Sequence, residues 1–220
     1  MHTFSYYNSD HIWSLLWILI VGFLLLQVPR CFPKRQDVFA RWLGVLVLVT
    51  NLFEGIWRVQ YEGFSFAQVM PLHFCSISGV FIGLYLLTQR DFFFQVSYYF
   101  SFGAVLALVL PGVSVYETRT FFYLFMMNHG FVPFGVLYGY LWLGSRPSYR
   151  GLWQAIGLTV GLFVISLGYN DWFFTNFMFT KSYIISWARI VQPFILYQIG
   201  LLLAFLGVMM GMYLPFRTRK

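Results

Sequence analysis

Apolar residues run through this chain in long unbroken stretches, not in the alternating or three-to-four-residue patterns of half-buried soluble elements. Seven such stretches fall near 12–29, 40–60, 67–88, 92–111, 120–143, 151–169 and 187–214. A bilayer core about 30 Å thick needs roughly 20 helical residues, so each predicts a transmembrane helix. Turn and charge signals separate them: Pro33-Lys34-Arg35, Glu62-Gly63, Gln89-Arg90-Asp91, Pro111-Gly112, Arg146-Pro147-Ser148 and Asn170-Asp171. The first stretch is read as a retained helix, because residues 1–11 hold no Lys or Arg and no small-residue cleavage site follows. The pattern predicts an all-α polytopic integral membrane protein, a bundle of about seven transmembrane helices, with residues 1–220 as a single transmembrane helical domain.

Composition agrees. Of the 220 residues 60% are hydrophobic, 23% aromatic and 10% charged; soluble domains carry about 25% charged residues. A water-soluble globule of this size cannot hide that much apolar surface. The net charge of +7 is read first as topology. Counting loops alternately, one side carries Arg30, Lys34, Arg35, Arg41, Arg90, Arg146, Arg150, Arg217, Arg219 and Lys220. The other carries Arg119 and Lys181, with Arg58 and Arg189 near helix ends. The positive-inside rule then places the N-terminus outside and the C-terminus in the cytoplasm, in a multi-pass protein of the cell membrane, the bacterial cytoplasmic membrane. Nucleic-acid binding is not implied. Cys31 lies in a basic loop and Cys75 in an apolar segment, so neither is expected to bridge the other.

Polar residues inside apolar spans are expensive and face a bundle interior or cavity. Here they are Asn51, Glu54 and Arg58 in the second stretch, and His73, Cys75, Ser76 and Ser78 in the third. Asn128 and His129 follow in the fifth, and Arg189, Gln192 and Gln198 in the seventh. At 1.5 Å per residue, His73 and Cys75 lie roughly 9–12 Å below the outer end of their helix, His129 roughly 13 Å, Glu54 about 9 Å and Asn51 about 13 Å. Five polar groups from three helices therefore share one slab of the outer half. On a regular helix His73 and Cys75 point about 200° apart, so they pair only if Pro71 or Gly79 distorts it.

This constellation admits thiol chemistry. A histidine on another helix can draw the proton from Cys75 to give a thiolate nucleophile, and His129 lies at the matching depth. Glu54 could orient an imidazole, or pair Arg58 at i,i+4. The plainer readings stand beside these. A single buried Cys is commonly inert packing, and each His alone is commonly a hydrogen-bonded structural residue. Asn51, Gln192 and Gln198 read as interhelical glue, and the Gly135/Gly139 and Gly157/Gly161 pairs as helix-contact positions. A metal site on His73, Cys75 and His129 is chemically conceivable, yet no spacing favours it, and no metal or cofactor is expected.

Beyond residue types, Met70-Pro-Leu-His-Phe-Cys-Ser-Ile-Ser78 resembles the Leu-Pro-Leu-His-Leu-Cys-x-x-Ser run of the YwaF family of bacterial integral membrane proteins. Ser101-Phe-Gly-Ala-Val-Leu-Ala-Leu-Val-Leu-Pro111 is similar to that family's small-residue helix ending in Pro. Asn128-His129-Gly130 matches its Ser-His-Gly, and Thr175-Asn-Phe-Met178 its Thr-Asn-Tyr-Met. Two departures stand out: Val191-Gln192-Pro193 replaces Gly-Pro-Trp-Pro, and Ser76 replaces the Asp after the Cys. More distantly, the family is similar to eukaryotic transmembrane protein 164, a phospholipid transacylase with a Cys nucleophile in a His-x-Cys context. The resemblance implies Cys75 as acyl-accepting nucleophile and His129 as its base.

The expectation is an intramembrane acyltransferase or transacylase acting on a phospholipid or other lipid acyl donor. Cys75, His129 and His73 are its catalytic candidates; Glu54, Asn51, Asn128, Asn176 and Arg189 are its substrate-binding candidates. His73 or Asn128 would donate to the oxyanion, while Arg189 and Lys181 would attract a lipid phosphate. Membrane lipids are the expected partners. The sequence fixes neither the oligomeric state nor which histidine is the base. A transporter or lipid-binding protein using the same polar cluster without covalent chemistry is the alternative. A structural assembly partner, in which the polar groups merely satisfy one another, is a further one.

Overall fold

The computed structural model of the protein describes residues 2–112 and 115–217. Its helices are α1 (Ser9–Cys31), α2 (Gln36–Tyr61), α3 (Phe74–Thr88), α4 (Asp91–Val109), α5 (Arg119–Trp142), α6 (Tyr149–Phe173) and α7 (Phe194–Tyr213). Two short strands, β1 (His2–Thr3) and β2 (Val115–Tyr116), pair antiparallel and tie the N-terminal segment to the α4–α5 connection. Asn8, Thr118 and Ser148 cap α1, α5 and α6, each side chain accepting a first-turn backbone N–H.

Among the described residues, six helices are long and apolar enough to cross a membrane; α3, with 15 residues, is shorter. It rises about 22 Å and falls short of a full hydrocarbon core. The third apolar stretch predicted from residue 67 therefore divides in two: an irregular segment over residues 62–73 that holds one short 3-10 turn, Phe66–Val69, then α3. Pro71 is the physical reason. Proline forces its predecessor out of helical conformation, and Met70 sits at φ −58°, ψ 139°. The seventh stretch divides likewise, since α7 begins only after Pro193 and leaves Arg189 and Gln192 in a preceding loop.

The outer surface is apolar. Trp13, Trp17, Leu19, Ile20, Phe23 and Leu24 of α1 are all exposed, the arrangement of a helix whose solvent is lipid. Inside, α3 packs between α2, α4 and α5, with Ile82, Tyr85 and Leu86 buried against Val47, Phe94, Val132 and Tyr138. A second cluster joins α4, α6 and α7 through Phe100, Ala155, Phe163 and Met209. The α2–α3 contact depends on missing side chains. A Cβ at Gly44 would lie 2.7 Å from the Gly83 carbonyl oxygen, and one at Gly83 2.7 Å from Leu48.

Gly135 and Gly139 are contact positions too, closing on Ile82 and Tyr85. Gly157 and Gly161 correct the expectation, because a Cβ at either would meet nothing within 4 Å. These contacts run α3 antiparallel to α2 and α4 and parallel to α5. The basic turns holding Arg30, Lys34, Arg35, Arg90 and Arg146 thus gather at one end of the bundle. Arg219 and Lys220 lie outside the described residues. At the opposite end stand β1, β2 and the two irregular segments 62–73 and 174–193.

Candidate active site

Where α2 ends, Gly63 (φ +72°) reverses the chain, and the Phe64 N–H returns to the Arg58 carbonyl at 3.1 Å. Left-handed backbone of this kind costs glycine nothing. The irregular segment is pinned at Ala67, whose carbonyl accepts from the Tyr169 hydroxyl at 3.0 Å. A capping box between Ser65 and Gln68 shapes its single turn. It then delivers His73, in extended backbone, as the N-cap of α3, and no side chain caps that helix. Cys75 is therefore not mid-helix as the sequence suggested. It stands in the first turn, where backbone N–H groups lack intrahelical acceptors and the helix dipole is positive.

The Cys75 thiol meets His129 from α5. The two side chains lie within electrostatic influence of one another, and the buried imidazole Nε2 has no hydrogen-bond partner. The other ring nitrogen, Nδ1, lies 2.6 Å from the Phe125 carbonyl oxygen. A carbonyl only accepts, so Nδ1 carries the proton and a neutral His129 presents a bare Nε2 lone pair. The Phe125 ring packs against the imidazole, centroids 4.0 Å apart. The Ser76 hydroxyl lies 4.0 Å from the Cys75 sulfur.

Glu54 is buried, and its hydrogen bond comes from Asn128, whose Nδ2 lies 2.6 Å from the carboxylate and 3.2 Å from the Thr50 carbonyl. Its other oxygen is 4.0 Å from Arg58. Glu54 thus reaches His129 through space, not by the direct imidazole contact of a triad. The Asn128 amide hydrogens point to acceptors of the protein, which removes that side chain as the expected oxyanion donor. Among the described residues, the buried side-chain polar atoms without a partner are Arg58 Nε, Asn128 Oδ1, His129 Nε2 and Ser166 Oγ. Three of them belong to this cluster. Buried polar atoms are nearly always satisfied, so such a concentration marks a strained or functional region.

His73 plays a different part from His129. Its Nδ1 accepts from the Met178 N–H at 3.4 Å, and its ring packs on Phe177 and Phe179 at 5.0 and 5.5 Å. It joins the start of α3 to the α6–α7 loop. Asn170, which the sequence offered only as a boundary signal, organises that loop. Its amide donates to the Phe177 carbonyl (2.8 Å) and Thr180 hydroxyl (2.7 Å), and its oxygen accepts from Thr175 and the Phe177 N–H. Asn176 likewise spends its side chain on the loop, accepting from the Lys181 and Ser182 N–H groups and donating to the Ser182 hydroxyl.

Together these elements wall a cleft of about 600 Å³, lined by Arg58, Gln68, His73, Ser76, Asn176 and Lys181 among others. Cys75, His129, Glu54 and Asn128 stand behind this lining, with the Ser76 hydroxyl between the cleft and the Cys75 sulfur, and Arg189 and Asn51 are not in it either. Arg189 is exposed on the turn Ser186–Ile190. Asn51 donates to Val47 on its own helix and packs against Gly79. Gln192 and Gln198 bond the α6–α7 loop, not a neighbouring helix. Both cysteines are free. Among the described residues, no three or more His, Cys, Asp or Glu side chains are grouped to hold a metal ion.

A sequence model of the TMEM164 family matches residues 6–213. An uncharacterized protein of Treponema pallidum (strain Nichols) is 31% identical over 204 residues, spanning 92% of this chain and 85% of that protein. No solved structure matches.

Proposed function

Because this chain belongs to the TMEM164 family, we propose that it is an intramembrane acyltransferase using Cys75 as nucleophile and His129 as base. The observation that carries the reading is the meeting of the Cys75 thiol with the bare Nε2 of His129 at the uncapped start of α3. His129 takes the thiol proton, and the sulfur attacks the ester carbonyl of a phospholipid. Collapse of the tetrahedral adduct breaks the ester C–O bond, and the imidazolium returns its proton to the departing lysolipid oxygen. An alcohol then attacks the thioester, its proton passing to His129 and back to the thiol as the new ester forms. First-turn N–H groups of α3, which no side chain caps, serve the developing oxyanion in place of His73 or Asn128. Glu54, one hydrogen bond from Asn128, offsets the charge of the imidazolium. His73 and Asn176 hold the cleft wall.

The bundle end bearing the cleft is the one poor in basic turns, which by the positive-inside rule faces outward. The reaction then takes place in the outer leaflet of the cytoplasmic membrane. The test is acyl exchange between a labelled phospholipid and a lysolipid in reconstituted protein. Transfer by wild type and none by Cys75→Ala supports the reading. Undiminished transfer by Cys75→Ala refutes it.

A further inference from the structure

The cleft beside the thiol is charged more richly than an ester carbonyl requires. It is lined by Arg58, His73 and Lys181, with the amides of Gln68 and Asn176 and the hydroxyls of Ser76, Thr175 and Ser182. Among the described residues no carboxylate lines it, and phenylalanine rings supply its apolar wall. Lys181 shares its charge with Asp171 outside the lining. Arg58 is less neutralised. Glu54 approaches it only to 4.0 Å and gives its other oxygen to Asn128. The guanidinium is instead held by aromatic faces, 4.4 Å from the Phe64 ring centroid and 5.5 Å from that of Phe121. Its Nε is buried without a partner. A guanidinium fixed by rings, short of acceptors and open to a polar cleft is suited to a tetrahedral oxyanion.

We propose that the cleft is a phosphate-ester site and that Arg58, not Arg189, is its principal recognition residue. His73 and Ser76 line the cleft and flank Cys75 in sequence. An anion on Arg58 therefore places the attached glycerol ester beside the nucleophile. Assignment of that anion to a lipid headgroup rests on the acyl-transfer reading; the anion site itself does not. Binding energy from this remote group would be spent on positioning the ester.

The experiment uses the full chain carrying Cys75→Ala, so that no acyl chemistry intervenes, in a detergent with an uncharged sugar headgroup. Native mass spectrometry follows binding of a lysophosphatidic acid and of the monoacylglycerol with the same chain. The phosphate-bearing lipid should bind at least tenfold more tightly. Adding Arg58→Gln should abolish that difference, Arg58→Lys should restore part of it, and Arg189→Gln should leave it unchanged. Equal binding of the two lipids, or an undiminished preference in Arg58→Gln, overturns the proposal. If Arg58→Gln fails to fold, the two-lipid comparison on the intact cleft decides alone. Competition by millimolar inorganic phosphate assigns the site to the free anion, and its failure to compete assigns it to the lipid headgroup. Absence of transfer activity in the Cys75 protein leaves this result untouched, so the two readings fail separately.

Discussion

Cys75 in the first turn of α3 faces His129 on α5, and the imidazole turns its unprotonated Nε2 to the thiol because Nδ1 is held by the Phe125 carbonyl. Two helices running in parallel at this point thus bring together a thiol and a base that are distant in sequence. Neither helix alone could do so.

The first consequence concerns thiol reactivity. With His129→Ala the thiol loses its proton acceptor and keeps only the helix N-terminus and the Ser76 hydroxyl as stabilising influences. Alkylation of Cys75 by a membrane-permeant maleimide at neutral pH should slow at least tenfold, with the helical spectrum unchanged. His73→Ala should slow it far less, because that ring is engaged with Met178 and the cleft wall. Equal effects of the two substitutions would mean that the base has been misassigned.

Glu54 separates charge from packing. Glu54→Gln keeps an acceptor for Asn128 and should fold, but it should lower acyl transfer by about tenfold or more, since it removes the charge facing the imidazolium. Glu54→Ala leaves Arg58 without its nearest carboxylate and Asn128 with only the Thr50 carbonyl as acceptor, and should cost about 3 kcal/mol of stability. Thermal unfolding in detergent, read beside activity, distinguishes the two.

The small-residue positions make opposite predictions in one helix type. Gly44→Ala drives a Cβ into the Gly83 carbonyl and Leu87 and should destabilise by about 1–3 kcal/mol. Gly157→Ala meets nothing within 4 Å and should be neutral or add up to about 1 kcal/mol through helix propensity. Melting temperatures of the two variants should therefore shift in opposite directions, or only the first should move.

Loss of Asn170 should be felt in the loop, not in the bundle. Asn170→Ala removes bonds to Thr175, Phe177 and Thr180 and strands buried backbone groups, costing about 1–3 kcal/mol. Hydrogen exchange over residues 174–182 should quicken while α2, α3 and α5 stay protected. Unchanged exchange there would show that His73 and the aromatic wall suffice to hold the loop.

Much of this arrangement was legible in the sequence, for specific reasons. Long apolar stretches gave the helices, because lipid imposes length and composition directly. Rise per residue alone put Cys75, Glu54 and His129 at one depth, and the structure gathers all three. What escaped was local backbone. Pro71 reads in the sequence as a source of distortion, whereas in the fold it is the stop that keeps residues 62–73 out of α3 and makes Cys75 an N-terminal residue. The role of Asn170 escaped because its partners lie in a loop that periodicity does not describe. The apolar stretch from residue 187 suggests a helix carrying Arg189 and Gln192, whereas α7 begins beyond Pro193. The Gly157/Gly161 pair misled because spacing identifies small residues without saying which side of a helix meets another.

Everything turns on whether a thioester forms at Cys75. Intact mass spectrometry of the protein purified from its membrane, wild type beside Cys75→Ala, decides it. A hydroxylamine-labile adduct of fatty-acyl mass is expected on the wild type, absent from the variant, and regained after incubation with mixed phospholipids. A wild-type thiol that remains unmodified after that incubation refutes the acyl-enzyme and returns the polar cluster to binding or structural duty.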